Sequence, residues 1–557
     1  MVDEGWGTVA DIDSAGTSDS SDVGGPGSAP QPPVAEPSRF LPLLLAMAMF
    51  VLVVDTTIMN VSISAVAESL GASVSSVQSA IALEALVSAA FILINSKVGD
   101  LIGRKRAYVI GLVAYAVGAL AMTLAQSVMA IVVFWAIIGG LGASLLLPAM
   151  QSLIHGNFEG AARAKVYALV GASMAIAAAI GPLIGGVITT YWSWRINFAL
   201  EVGIIAVVLG GIRLVKDVPY TGDRSIDGVG ATLSVVGMGG VVLGVLVWQE
   251  GGEAVLALIA VGAVGLFSLA KWLVRRKRDG KPFLLDPNLF DSPHFRVGIS
   301  QQMLQQIALG GAMIVIPIFL QIALEYNALE AGLAIAPLSL SMFFVALLLG
   351  RRAGKRRPAV IVRSGFALAL VGMALVIPVV PRAEADQGAW VLAVPLLIAG
   401  CGLGMLVSQL NNYTLAPIEE ERASEAAGVN SAGGNFGLSF GLAVAGGIML
   451  ASLSLAFTAM TDASTVIPDA QKQTISTALE QNAEIVSDTQ LTAVIAAEPP
   501  EVQAEILAIN DRARALSLQI AMLVPVLACL LGLVNAFRMV RLPDIEPASS
   551  LEGLSLG

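Results

Sequence analysis

The sequence predicts an all-α polytopic membrane protein with 14 transmembrane helices, for three reasons. Of 557 residues, 56% are apolar and only 13% are charged, against about 25% charged in soluble chains. The apolar residues gather into fourteen runs, each long enough to supply the roughly 20 helical residues that cross a hydrocarbon layer about 30 Å thick. Lys and Arg fall almost wholly on one side of those runs. The same composition excludes other classes. A net charge of −10 leaves no electrostatic footprint for a nucleic-acid partner. The two cysteines, Cys401 and Cys529, both sit inside apolar runs, which argues against a disulfide framework or a thiolate metal site. Only His155 and His294 supply imidazoles, and no cofactor is expected.

Taken in order, the runs lie at 40–66, 77–99, 106–126, 129–154, 164–190 and 196–215, then 229–249 and 254–274. Six more follow at 296–323, 329–350, 359–380, 389–416, 426–456 and 514–538. Cytoplasmic loops retain positive charge. With the first helix starting inside, 26 of the 31 basic residues fall inside or at inner helix ends. Both termini are therefore expected in the cytoplasm, with 457–512 as an outer loop. Residues 1–38 hold seven acids and no Lys or Arg; rich in Gly, Ser and Pro, this tail cannot bury a core and is expected to be disordered. Lacking a basic n-region, it does not read as a cleavable signal, so the first span is expected to act as an uncleaved anchor.

An internal repeat organises the rest. Gly99-Asp100-Leu101-Ile102-Gly103-Arg104-Lys105-Arg106 ends the second helix, and Gly350-Arg351-Arg352-Ala353-Gly354-Lys355-Arg356-Arg357 ends the tenth, at an offset of 251. Parallel six-helix halves recur in secondary transporters. The expected division is an N-terminal half at 39–216, two inserted helices at 217–280, a C-terminal half at 281–540 and a cytoplasmic tail at 541–557. The outer loop 457–512 has helix-like stretches around Gln471–Val486 and Pro500–Asn510. It either caps the outer entrance or merely connects two helices.

These residues resemble the major facilitator superfamily and, within it, the fourteen-helix drug:H+ antiporters, over roughly 39–540. Gly99, Asp100, Gly103, Arg104 and Lys105 are similar to the G-x-x-x-D-R-x-G-R-R loop between the second and third helices. Val-Val-Asp-Thr-Thr-Ile-Met-Asn-Val at 53–61 resembles the first-helix L-D-x-T-I-V-N-V signature, and Gly181-Pro182-Leu183-Ile184-Gly185-Gly186 the fifth-helix G-P-x-x-G-G motif. Trp194, Arg195, Phe198, Asp227, Gly230 and Pro317 through Gln321 also stand where the family has similar residues. The chain departs from the pattern at Ala136, where the fourth helix of these antiporters carries Arg, and at Gly139, where it carries Gln. Ser96, Leu101, Ala177 and Gly434 are further departures. The resemblance implies a major facilitator fold, a small-molecule substrate, protons as coupling ion and a monomer in the lipid bilayer of the cell membrane, for a bacterium the inner membrane.

For Asp100, Arg104 and Lys105, with Gly99 and Gly103 shaping the turn, the resemblance implies a cytoplasmic gate; the alternative is a positive anchor that only fixes topology. Pro182 removes a helical hydrogen bond, while Gly181, Gly185 and Gly186 permit close helix approach. That motif serves either the conformational swing or simple packing. Polar side chains inside a bilayer are costly and face an interior. Asn60, Gln305, Gln409 and Asn412, with Trp135 as a stacking wall, are the candidate substrate cavity; interhelical hydrogen bonding is the bland alternative. His155, near an inner helix end, reads as an interfacial side chain.

Asp55 and Glu84 both lie about 15 residues from the inner ends of their helices, roughly 22 Å at 1.5 Å per residue. Two carboxyls at one depth on neighbouring helices are the candidate proton carriers, with Glu201 a third and weaker choice. Alternatively, Glu84 is a permanently neutral acid in one interhelical hydrogen bond. No G-x-x-x-x-G-K-[ST] occurs, so ATP-driven pumping by this chain alone is not expected. The expected function is a secondary active exporter of a small, moderately lipophilic molecule by proton antiport. A uniporter or importer is the alternative, ahead of a receptor or an embedded enzyme, for which no catalytic cluster is found.

Overall fold

Without water in the bilayer core, each backbone N–H and C=O must be satisfied within its own segment, and among the described residues every regular element is helical. The computed structural model describes residues 40–158, 160–217, 227–249, 254–350, 357–382, 388–418, 422–468 and 498–543, with isolated positions between 472 and 496. The expectations for the tails at 1–38 and 544–557, for Gln471–Val486, for most of the second repeat copy and for the His155 side chain lie outside the described residues.

Among the described residues, fourteen helices are long and apolar enough to span a membrane. They are α1 (Leu41–Val61), α2 (Val74–Ile102), α3 (Arg104–Leu124), α4 (Val128–Ile154), α5 (Lys165–Tyr191), α6 (Trp194–Leu214) and α7 (Gly228–Trp248). Then come α8 (Val255–Arg278), α9 (Pro293–Ala323), α10 (Ala328–Leu349), α11 (Pro358–Arg382), α12 (Ala389–Leu415), α13 (Glu425–Ala463) and α14 (Pro500–Arg541). Serines open several of them: Ser73 accepts from Ser76 N, Ser127 from Ala130 N and Ser193 from Arg195 N, as N-caps do. Gly103, at φ +97, turns the chain from α2 straight into α3. The last two helices run beyond the predicted spans, so both ends of the expected outer loop are helical.

The neighbours of each helix expose the repeat. α1 packs on α5 and α6, α2 on α4, and α3 on α4 and α6. Eight helices on, α9 packs on α13 and α14, α10 on α12, and α11 on α12 and α14. Two seams join the halves, α2 with α13 and α5 with α10, and the same shift carries one seam into the other. The inserted pair α7 and α8 pack on each other, and α7 rests against both α2 and α13. Burial follows these neighbours: α2 and α9 are each 72% buried over their most apolar window, whereas α8 is 17% and α10 22% buried. Leu256, Val261, Val264 and Phe267 along α8 are exposed, as lipid-facing side chains are.

Candidate functional site

The site grows from a polar position in α1. Asp55 is 1% exposed, and an ionised carboxyl in such surroundings must be hydrogen-bonded or neutralised. Two neighbouring helices supply donors. Tyr115 on α3 donates its hydroxyl to Asp55 Oδ2. Trp135 on α4 donates its indole N–H to both oxygens, at 3.2 and 3.0 Å. Trp135 lies in a π-helical stretch, Ile131–Gly139, a wider turn that often marks functional positions. The 2% exposed indole therefore sets its N–H on the carboxyl, within the N-terminal half. Glu84 on α2 and Glu201 on α6 both feel the charge of Asp55, and the Tyr115 hydroxyl lies within electrostatic reach of all three carboxyls. Asp55 thus lies within electrostatic reach of both Glu84 and Glu201.

The five residues expected to line a substrate cavity are not joined in this way. Asn60, Gln305 and Gln409 are buried and Asn412 is exposed. Among the described residues no hydrogen bond links them to one another. Gln409 donates to Ser408 Oγ at 3.3 Å, while Asn60 lends its backbone carbonyl to Gln321 Nε2 on α9 at 3.2 Å. Gln321 Oε1 in turn accepts from Ser64 N at 3.1 Å. This one amide clasps the ends of α1 and α9 that the basic-residue count assigns to the outside. It sits in a second π-helical turn, Phe319–Ala323.

The fifth-helix motif lies on two surfaces. A Cβ on Gly181 would stand 2.0 Å from Thr57 Oγ1, and one on Gly185 would stand 2.8 Å from Ile58 Cγ1, so both glycines seat α5 against α1. Gly186 faces the other way: its Cβ would meet the Ala328 carbonyl of α10 at 2.6 Å. Gly332 on α10 returns the contact, its Cβ position lying 2.4 Å from the Pro182 carbonyl. Thr190 Oγ1 accepts from Leu329 N at 3.0 Å, extending the seam outward.

At the inner end of α2, Asp100 and Arg104 form an ion pair within the turn, both largely buried. Lys105 reaches the end of α6, its backbone N–H donating to Asp217 Oδ1 at 3.0 Å and its Nζ to Val215 O at 2.6 Å. A Cβ on Gly103 would sit 3.1 Å from Asp217 Oδ2, and one on Gly99 3.3 Å from Ala107 Cβ. These bonds bind the turn into the N-terminal half.

Tyr115, Thr190 and Asp217 were not singled out from sequence, and Gln321 only as part of the family-like stretch Pro317 through Gln321. The available signal was weak: one hydroxyl in the middle of an apolar span for Tyr115, and one acid directly after an otherwise basic inner helix end for Asp217.

A family profile described as Major Facilitator Superfamily matches residues 45–442, which is most of the chain. The chain belongs to the Major Facilitator Superfamily. This superfamily member is 25% identical, over 79% of its length and 77% of the relative's, to the "Probable actinorhodin transporter" of Streptomyces coelicolor. It is 27% identical to "Multidrug resistance protein Stp" of Mycobacterium tuberculosis, covering 73% of this chain and 75% of that one. It is 28% identical to "Multidrug export protein EmrB" of Escherichia coli K12, covering 70% and 76%. With its fourteen spans, it groups with the fourteen-helix drug:H+ antiporters. Among solved structures, an inward-facing bacterial homologue of the human lysosomal transporter Spinster shares the fold at TM-score 0.57 and 11% identity, covering 91% of this chain and 98% of that one. A peptide transporter does so at TM-score 0.54 and 15% identity, covering 92% and 97%. The chain is a multi-pass membrane transporter, not an enzyme.

Proposed function

We propose that this transporter exports a small, moderately lipophilic molecule of drug or metabolite class across the bacterial inner membrane, as a monomer, in exchange for protons. The observation that carries the reading is the buried Asp55 carboxyl, held by Tyr115 and Trp135, with Glu84 and Glu201 within electrostatic reach. A group so placed is expensive to keep charged and is relieved by a proton. Moving one charge down 100 mV supplies roughly 2.3 kcal/mol, enough to drive an exchange when coupled to it. The two-halves division at 39–216 and 281–540, with 217–280 inserted, suits alternating access. In that cycle α5 and α10 are the seam that closes the outside, through Gly181, Pro182, Gly185 and Gly186. Gly99, Asp100, Gly103, Arg104 and Lys105 are the inner gate. Asn60, Gln305, Gln409 and Asn412 offer hydrogen bonds along the substrate path, and Trp135 serves the proton side of it.

The reading is tested by finding a substrate among lipophilic dyes and antibiotics in an efflux-deficient host, then measuring its exchange in proteoliposomes under an imposed pH gradient. Asp55→Asn should abolish the gradient's effect while the protein still assembles, and Glu84→Gln should weaken it. If Asp55→Asn leaves proton-driven exchange intact, proton coupling at this site is wrong. In that event the proton-independent carrier that Ala136, in place of the family Arg, favours becomes the better description.

A further inference from the structure

Three polar side-chain atoms on one turn of α6 lack a hydrogen-bond partner among the described residues: both carboxyl oxygens of Glu201 and Oδ1 of Asn197. Glu201 is 2% and Asn197 1% exposed. Native interiors hold few such atoms, because each costs about 1–3 kcal/mol. At a spacing of four residues the two side chains share one helix face, and α6 packs against α3, α1 and α5. Between the orphan oxygens and the outer surface the polar line continues. Asn197 Nδ2 donates to Thr189 Oγ1 on α5 at 3.1 Å. Thr189 Oγ1 lies 2.9 Å from Ser62 Oγ, at the break that separates Leu41–Val61 from Ile63–Leu70. In the other direction, Tyr115 and Asp55 lie within electrostatic reach of Glu201.

We propose that Glu201 is the proton-accepting residue on the outer side, and that Asn197 and the half-buried Thr189 form its route to the outer solution, with the buried Ser62 hydroxyl holding Thr189, inside the N-terminal half and separate from the substrate path. This rests on the reading of Asp55 as proton carrier and adds where its proton comes from. By helical rise, Glu201 lies about 10 Å below the outer end of α6. Water bridging Asn197 Oδ1 and the Glu201 carboxyl satisfies the orphan atoms, as buried water does elsewhere. The transfer balances. A proton leaves the Glu201 carboxyl and reaches the Tyr115 oxygen through one water, while the Tyr115 hydroxyl proton passes to Asp55. Asp55 becomes neutral, Glu201 becomes anionic, and Glu201 is reloaded from outside. The charged or titratable groups facing Glu201 are Asp55 on α1, Tyr115 on α3 and, beyond Tyr115, Glu84 on α2. α5 presents the neutral Thr189. Arg195 at the mouth is engaged by Ser69 Oγ at 2.9 Å and Ala125 O at 2.7 Å, and stacks on Trp194. The route thus carries no fixed positive charge below its entrance.

The arrangement explains how a carrier clasped on the outside by Gln321 still exchanges protons with that side. Helix packing that excludes a drug-sized molecule admits a file of hydroxyls and water.

The test uses a lipophilic carbodiimide, which reaches buried carboxyls through the bilayer and modifies only their protonated form. In oriented proteoliposomes of the full chain, peptide mass spectrometry should show labelling of Glu201 that rises as the outer bath is acidified. The rise should approach tenfold per pH unit while the group is mostly ionised. Acidifying the lumen should leave it unchanged. Asn197→Leu, which keeps the volume and removes the polar link, should slow the response to outer pH at least about tenfold. Asp55→Asn should preserve it, so failure of the Asp55 reading and failure of this one are distinguishable. In transport, Glu201→Gln should slow proton-driven exchange about tenfold, with partial recovery in Glu201→Asp. Labelling that tracks the inner pH, or a Glu201 response unchanged by Asn197→Leu, would overturn the route.

Discussion

In the N-terminal half, the Tyr115 hydroxyl donates to the Asp55 carboxyl of α1 and lies within electrostatic reach of Glu84 on α2 and Glu201 on α6. In the C-terminal half, α9 and α12, which repeat α1 and α4, carry amides instead: Gln301, Gln302, Gln305, Gln306, Gln409, Asn411 and Asn412. The helix neighbours are the same on both sides and the chemistry is not. Carboxyls change charge with a proton; amides hydrogen-bond equally well at any pH. The C-terminal amides are spent on binding the bundle or remain available: Gln301 Nε2 donates to Gly532 O at 3.1 Å and Asn430 Nδ2 to Asn411 Oδ1 at 2.8 Å, while Asn412 is exposed. Under the proposed function, the difference is a division of labour, with proton handling in one half and neutral recognition in the other.

The seam between the halves should break this division most severely, since both functions depend on it. Gly186 and Gly332 each face a backbone carbonyl of the opposite half, at 2.6 and 2.4 Å from their Cβ positions. Backbone cannot yield as a side-chain tip does, and overpacking costs about 1–3 kcal/mol. Gly186→Leu should cut transport more than tenfold with the protein still in the membrane, and Gly332→Ala should cut it less. Unchanged transport in both would mean that the seam opens without tight contact.

An intermediate effect is expected in the C-terminal half alone. Gln305→Ala and Asn412→Ala should raise KM for substrate about threefold to tenfold, the worth of one neutral hydrogen bond, and leave the dependence on the pH gradient intact. That is the mirror image of Asp55→Asn. A change in proton dependence from either amide would erase the distinction between the halves, and no change in KM for any compound would remove both residues from the substrate path.

How much of this was legible beforehand follows from what each signal measures. Hydropathy counts length, so all fourteen spans were readable, as was the repeat, because Gly99–Arg106 and Gly350–Arg357 keep two glycines and three closing basic residues in register. Depth along a helix was readable too, and it set Asp55 and Glu84 at one level. Rotation about the helix axis was not. An apolar span in lipid lacks the sharp polar face of a soluble helix, so nothing along α6 told that Glu201 turns towards Asp55, or along α3 that Tyr115 does. Trp135 was noticed for its ring, whereas the structure engages its N–H; a sequence does not say which edge of an indole will be used. The helical continuation of α13 to Ala463 and of α14 back to Pro500 was obscured by the acids and amides there, which lower hydropathy without disfavouring helix.

The smallest effect concerns a well-connected charge cluster on the C-terminal side, and it separates structural charge from functional charge. Asp286, between α8 and α9, accepts from Lys277 Nζ at 2.6 Å, from Arg422 Nη2 at 2.7 Å and from Asn288 N at 2.9 Å. Its own backbone N–H donates to Glu425 Oε1 at 2.6 Å, so the cluster ties the inserted pair to the start of α13. Partial burial pushes the Asp286 carboxyl up, but the Lys277 and Asn288 hydrogen bonds and the Arg422 and Lys277 charges outweigh it and hold the carboxyl below the usual range. The sign follows from linkage. A carboxyl whose folded value is depressed contributes stability that is fully present above its unfolded value of about 3.9, and that is lost as pH falls through the folded value. Asp286→Asn should therefore cost about 1 kcal/mol at neutral pH, the scale of a partly exposed pair. Its stability should converge with that of the unsubstituted chain in acid, read as thermal unfolding in detergent. Transport coupling should not move. Were Asp286→Asn to alter the proton dependence of transport, the C-terminal half would hold a titrating group after all, and the contrast with the carboxyls around Tyr115 would become one of degree.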